Sequence, residues 1–294
     1  MKIRVPASSA NLGPGFDALG LALGLYNETR IEPSSYFSIS VKGEGSDKPR
    51  IKTNNTFVNI FYDVYKELMG KKDNFRFEFT NAIPFSRGLG SSSSVIVGAI
   101  AAAYHMAGYA VDKEQVLNRA LTLESHPDNI TPSVYGGFVS AIVENEKVIM
   151  MKKELPKDIC AIVVIPNTAM STERSRKLLP KSYKTADIVF NLSHAALLSA
   201  AFMSENWEML KVAAQDRIHE QMRMGMLPAL FDVKRVALEN GALMSTLSGS
   251  GSSFLNLAYV KHSKRLFDAL SSAFTEFKVL ALEFDNNGFV ITQS

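Results

Sequence analysis

From Phe57 to Met69 the apolar residues Phe57, Val58, Ile60, Phe61, Val64, Tyr65 and Leu68 recur at the spacing of one helix face, and Gly70 follows where a left-handed cap belongs. That pattern predicts a helix. Phe75, Phe77 and Phe79 then alternate with Arg76, Glu78 and Thr80, the period of two of a half-buried strand. A Gly/Ser loop, Gly88 to Ser94, leads into an apolar helix over Val95 to Met106. A further helix is predicted over Lys113 to Leu123, with Asp112 as its N-cap and Gln115 at the third helical position. Strands are predicted at Phe138 to Val143 and Lys147 to Met151.

The polar stretch Lys152 to Asp158, containing Pro156, separates these elements from a fully apolar strand at Ile159 to Ile165. It marks a domain junction, with an N-terminal domain over 1–154 and a C-terminal domain over 155–294. The second half reads as that strand, helices over 172–179, 185–204, 206–215 and 229–240, strands at Leu243 to Leu247 and Phe254 to Val260, a helix over 263–275 and a strand at Val279 to Phe284. The mixture lacks the regular βαβ alternation of a doubly wound sheet, so the fold class is α+β. No internal repeat or low-complexity tract interrupts it.

Composition narrows the partners. The chain has 294 residues, 46% hydrophobic and 21% charged, the profile of a globular protein long enough for one large or two ordinary domains. Its net charge of +3 comes from 32 basic and 29 acidic residues spread along the length, which argues against a nucleic-acid partner. The single cysteine, Cys160, lies in an apolar run, so it has a packing role and the chain suits a reducing cytoplasm. The longest apolar stretch, Val95 to Tyr104, is too short to span a bilayer, and no membrane association or N-terminal leader is expected.

Four segments bear chemistry. Pro84-Phe85-Ser86-Arg87-Gly88-Leu89-Gly90-Ser91-Ser92-Ser93-Ser94 joins a strand to a long helix; its glycines permit tight turning and its serines supply N–H groups at the positive end of the helix dipole. Phosphate is the natural guest, although no G-x-x-x-x-G-K-[ST] loop occurs, and a flexible Gly/Ser connection is the bland alternative. Ser8 to Asp17, with two glycines and a proline, is too irregular for a regular element and reads as an ordered loop. Glu124-Ser125-His126-Pro127-Asp128-Asn129 closes a helix; viewed alone it is either a metal and substrate site or a solvated helix terminus. Leu247-Ser248-Gly249-Ser250-Gly251-Ser252-Ser253 lies between apolar strands, which weakens its reading as a linker.

Together these segments resemble the signatures of the GHMP kinases, in the family's order and over nearly the whole chain. Pro84 to Ser94 is similar to the ATP-binding P-x-x-x-G-L-G-S-S loop, and Leu247 to Gly251 to the C-terminal glycine motif. Ser8 to Asp17, His126 to Asn129 and Gly136-Gly137-Phe138 are similar to the branch that phosphorylates homoserine. The resemblance implies a GHMP kinase fold, with a first domain like domain 2 of ribosomal protein S5, a ferredoxin-like second domain and the active site between them.

It also implies roles. Residues 84–94 would hold ATP, while Ser92 and Glu124 would hold Mg2+, a hard cation that keeps phosphate and water oxygens around it. Asn11, Asp17 and His126 match contacts to L-homoserine, Asp17 facing its ammonium group. Arg176 and Arg223 match the arginines that grip its carboxylate, a task suited to a guanidinium fork; without the resemblance both read as exposed helix arginines. Asn129 stands where mevalonate kinases carry an aspartate, which implies an enzyme without a dedicated base, Asn129 orienting the hydroxyl. Departures are Ser252 where relatives usually have proline, Gln221-Met222 before Arg223, and a short spacing from Glu124 to His126. Analogy with relatives suggests a homodimer. The rival readings are a GHMP kinase for mevalonate or a sugar, and a GHMP-fold protein that senses a ligand without catalysis.

Overall fold

The computed structural model describes residues 1–293. Its first half runs β1 (Lys2–Ala10), β2 (Leu19–Pro33), β3 (Ser38–Gly43), α1 (Pro49–Thr53), α2 (Thr56–Met69), β4 (Phe75–Asn81), α3 (Ser91–Met106), α4 (Lys113–Leu121), α5 (Pro127–Tyr135), β5 (Phe138–Glu144) and β6 (Lys147–Lys153). The second runs β7 (Ile159–Ile165), α6 (Thr172–Lys177), α7 (Thr185–Met203), a 3-10 turn at Trp207–Met209, α8 (Leu210–Ala213), α9 (Glu220–Met224) and α10 (Ala229–Glu239). After these come β8 (Met244–Leu247), β9 (Phe254–Tyr259), α11 (Val260–Ala273), β10 (Lys278–Leu282) and β11 (Val290–Thr292).

The predicted helix signals act as expected: Gly70 ends α2 at φ 66°, and Asp112 caps α4 through the Gln115 N–H at 2.8 Å. Asn55, which is not among the predicted caps, starts α2 by accepting from the Val58 N–H at 3.2 Å. In β4 the phenylalanines are buried, and Arg76, Glu78 and Thr80 lie on the wetter face. Strand β2 is the hub of the first sheet, pairing with β1 along most of its length, with β5 at Leu19–Leu21 and with β4 at Asn27–Pro33. Strand β3 adds to β4 in parallel, β6 pairs β5, and β11 brings the end of the chain back against β1.

The second sheet is antiparallel throughout, in the order β10-β7-β9-β8. Ranked by sequence its strands lie 4-1-3-2 with helices after the first and third, the ferredoxin-like arrangement. Strand β7 is apolar at every position because both its faces are covered. Ile159, Ala161, Val163 and Ile165 join a cluster with Leu19, Leu21 and Phe138 of the first sheet, whereas Cys160, Ile162 and Val164 pack with residues of α10 and α11. The Phe138 and Phe202 rings stack across the shared cluster with centroids 4.1 Å apart. A common core thus fixes the two sheets against each other.

Several expectations are corrected. Ser8, Ser9 and Ala10 are the end of β1 rather than loop, because their small side chains fit a fully buried strand end whose hydroxyls find partners in other segments. The serines at 91–94 form the first turn of α3 rather than preceding it, since Gly90, at φ 65°, takes the N-cap position. His126 starts a helix instead of following one, with Pro127 at the first helical position, where a missing N–H costs nothing. Strands β1, β2, β3 and β11 and helices α1, α5 and α9 are absent from the predicted elements. Helix α7 is long and apolar enough, by length and composition, to cross a bilayer; its C-terminal end, Leu198 to Phe202, packs into the shared core.

Candidate active site

The loop between β4 and α3 is held open by backbone conformations that side chains disfavour. Gly88 (φ 73°) and Gly90 (φ 65°) lie in the left-handed region, and a Cβ on Gly88 would come within 2.1 Å of the Ser248 carbonyl oxygen, one on Gly90 within 1.9 Å of Ser8 Oγ. Both sheets brace this loop. The Ser248 hydroxyl donates to Gly88 O at 2.6 Å, the Ser8 N–H donates to Leu89 O and the Ser253 N–H to Arg87 O. Arg87 is occupied with carbonyls, donating from Nε to Pro166 and from Nη2 to Asn167. Behind the loop the first-turn N–H groups of α3 lack intrahelical acceptors and point into a cleft at the positive end of a 16-residue helix. Pro84, Ser86 and the stretch from Arg87 to Ser93 line it; Phe85 and Ser94 turn away, Ser94 Oγ being bonded to Asn27 and Ser91.

Acidic groups form one wall. Glu124 Oε2 accepts from Ser93 Oγ at 2.7 Å, and burial raises the carboxyl pKa against the lowering effect of that bond. Ser92 lines the same cleft. Two oxygen donors suit a hard cation that takes its other ligands from phosphate and water. Among the described residues no cluster of three or more His, Cys, Asp or Glu side chains offers a self-sufficient metal cage. Asp128, buried at 3% exposure, has its pKa pushed up to about 8 by desolvation and by the nearby Asp17 and Glu124 charges. Asn129, which lines the cleft, accepts from Ser8 Oγ at 2.8 Å through Oδ1, and its NH2 group donates one long bond to Asp128 Oδ1 at 3.5 Å, which leaves its second N–H as a donor.

The far end gathers residues from segments distant in the sequence. Arg176 on α6 donates twice to Asp17, at 2.9 and 3.0 Å, and His126 Nδ1 lies 3.5 Å from the same carboxylate. Asn11 donates to Gly249 O at 2.8 Å and accepts from the Asp17 N–H at 3.0 Å, so it shapes the loop that carries Asp17. Arg223 on α9 is 1% exposed; its Nη1 reaches His219 Nδ1 and Gly249 O, both at 3.2 Å, while Nε has no hydrogen-bond partner among the described residues. Because Arg223 can only donate, His219 accepts at Nδ1 and donates from Nε2 to Gly13 O at 2.8 Å, which requires a neutral ring. Burial lowers the His219 pKa in the same sense.

Every residue the sequence singled out for substrate, catalysis or metal therefore borders one cleft: Asn11, Asp17, Ser92, Glu124, His126, Asn129, Arg176 and Arg223. Asp128, Thr172 and Ser250 also line it; Asp128 and Ser250 belong to segments the sequence marked as chemistry-bearing, but none of the three was assigned a role. Nor was His219, although its place one helical turn before Arg223 is the signal that finds it. The cleft thus offers an anion-binding helix end, oxygen ligands for a cation, and a charge-paired pocket of a size to read a small zwitterion.

Comparison with known proteins agrees. The family model for the GHMP kinases N terminal domain matches residues 55–137. Homoserine kinase of Campylobacter jejuni is 60% identical over 291 residues, covering 99% of this chain and 100% of that protein. That of Campylobacter concisus is 58% identical, covering 100% of both. The crystal structure of homoserine kinase from Cytophaga hutchinsonii superposes with a TM-score of 0.87 at 26% identity, covering 99% of this chain and 96% of that one.

Proposed function

This chain belongs to the homoserine kinase family of the GHMP kinases, and from that membership we propose that it transfers the terminal phosphoryl group of ATP to the side-chain hydroxyl of L-homoserine, giving O-phospho-L-homoserine for threonine biosynthesis. The observation that carries the reading is the cleft itself, in which a helix N-terminus at one end faces the Asp17, Arg176 and Arg223 cluster at the other. An α-amino acid presents a carboxylate and an ammonium together. Mevalonate has no ammonium for Asp17, and a neutral sugar uses none of the three charges. Intact phosphate-loop geometry, with Gly88 and Gly90 each in place, argues against a sensor that has lost catalysis.

Each residue then has a physical task. The Ser91 to Ser93 N–H groups receive phosphate oxygens, and Ser92 with Glu124 would hold Mg2+, which when bound neutralises phosphate charge. Arg176 and Arg223 take the substrate carboxylate, Asp17 takes the ammonium, and Asn11 and His219 hold those groups in place. Asn129 donates to the reacting hydroxyl and orients it in line. Among the described residues no side chain is assigned as a base: an amide cannot take a proton, and Asp128 lies fully buried, its carboxyl pKa raised by desolvation and by the Asp17 and Glu124 charges. His126 has its pKa lowered by burial but sits against Asp17, at the ammonium end. A loose transition state develops little charge on the attacking oxygen early, so positioning and phosphate neutralisation supply the rate and the proton leaves late, to the phosphate. The test is ADP release by the purified enzyme with homoserine, mevalonate and a panel of sugars. Turnover confined to homoserine is expected, and equal turnover with mevalonate would defeat the assignment.

A further inference from the structure

The side chains assigned to opposite ends of the substrate are bonded to each other. Arg176 Nη1 and Nη2 donate to Asp17 Oδ2 and Oδ1 at 3.0 and 2.9 Å, a two-pronged pair joining α6 to the turn after β1. Side-chain exposure of 39% and 26% leaves the pair partly shielded, where charges are screened less than on open surface. Arg223 lies beside it, the two guanidinium carbons being 5.3 and 5.1 Å from the centroid of the same Phe16 ring. Unlike Arg176, Arg223 makes no ion pair within 4.0 Å among the described residues, so an incoming carboxylate meets one unpaired cation and one paired one.

Resting on the assignment of this cleft to homoserine, we propose that the Asp17–Arg176 pair is a lock that the substrate opens with its own two charges, and that it sets specificity for zwitterions. A carboxylate alone that captures Arg176 strands Asp17 as a shielded anion. An amine alone that captures Asp17 strands Arg176 beside the already unpaired Arg223. A zwitterion replaces one internal ion pair with two intermolecular ones and strands nothing. Discrimination therefore comes from a penalty on half-substrates as well as from contacts to the whole, as specificity often requires. His126, 3.5 Å from Asp17, would partner a stranded Asp17 when protonated and so soften the penalty on a lone carboxylate; the lock discriminates most sharply with that ring neutral.

The lock predicts coupling between two separate small molecules. The first is the half-substrate 4-hydroxybutyrate, which lacks the ammonium, and the second is methylammonium. With the wild-type enzyme, methylammonium chloride should strengthen apparent binding of that hydroxy acid by about fivefold or more relative to potassium chloride of equal ionic strength, the lower end of ordinary coupling between sites. Asp17→Asn should lose homoserine yet turn over 4-hydroxybutyrate more efficiently than wild type, and Arg176→Gln should do the same for 3-aminopropan-1-ol. If methylammonium acts no differently from potassium, or if Asp17→Asn loses both substrates in proportion, the lock is wrong. Should the variants fail to fold, the methylammonium comparison on wild-type enzyme decides alone. Homoserine turnover with uncoupled fragments overturns the lock and spares the functional assignment; no homoserine turnover at all overturns both.

Discussion

Arg223 offers a perturbation with opposed consequences for stability and activity. Its guanidinium is 1% exposed without an ion-pair partner among the described residues, and burial together with nearby Arg176 lowers its pKa. Desolvating such a cation costs several kcal/mol, while its bonds to His219 and Gly249 return roughly 1.5 to 3 kcal/mol each. The two nearly cancel, so this arginine contributes little net stability to the substrate-free protein. Methionine, unbranched and apolar, fills similar space. Arg223→Met should hold the thermal midpoint within about 4 °C of wild type, corresponding to about 1 kcal/mol in a protein of this size. The same change removes the cation proposed to meet the substrate carboxylate and should lower kcat/KM for homoserine by about 10²-fold. Scanning fluorimetry reads the first quantity; initial rates with homoserine varied at saturating ATP, then ATP varied at saturating homoserine, read the second. A midpoint lowered by roughly 10 °C or more with an unchanged KM for homoserine would make Arg223 a structural residue and refute the reasoning.

Three further outcomes follow from the geometry. Ser92→Ala should lower turnover by about 10²-fold and leave the thermal midpoint unchanged, and near-wild-type kcat at saturating Mg2+ would remove Ser92 from the metal site. Asn129→Ala should cost about 10- to 10²-fold in kcat, a lost positioning contact, and an acidic limb in the kcat profile that one substitution at Asp17, His126 or Asp128 abolishes would name a base instead. Folding raises the Asp128 pKa from 3.8 to about 8, so the folded state holds that proton more tightly and the resulting stability is complete below the unfolded pKa and lost as pH rises to about 8. Urea unfolding between about pH 5 and 8 should show Asp128→Asn losing less stability with pH than wild type, by up to about 1.4 kcal/mol per pH unit, whereas parallel slopes would contradict the burial argument.

Local patterns in the sequence identified what local physics decides. The helix spacing of 57–68, the Asp112 cap and the alternation of Phe75, Phe77 and Phe79 all appear where expected. Strand β2 was invisible because its 15 residues change neighbours partway, facing β5 at Leu19–Leu21 and β4 from Asn27, so no single period runs through it. Family resemblance picked out residues that the fold gathers at one cleft, whereas their contacts required the fold. Nothing in the chain order shows that Ser8 fixes Asn129 across 121 positions, or that Gly88 packs on Ser248 across 160. Asp128 lies in a segment that reads as chemistry-bearing yet received no role of its own, because an acid in the first turn of a helix is ordinarily a dipole partner; its burial near Asp17 and Glu124 changes its chemistry.

The central claim, phosphoryl transfer to a homoserine hydroxyl in the cleft between the two sheets, is tested most directly by phosphorus NMR of a reaction containing the purified chain, ATP, Mg2+ and L-homoserine. The account predicts a phosphomonoester signal from O-phospho-L-homoserine growing in step with ADP, and its loss in Ser92→Ala and Arg223→Met at substrate concentrations that sustain the wild type. Accumulation of inorganic phosphate and ADP without that ester, or an ester formed equally well on mevalonate, would contradict it.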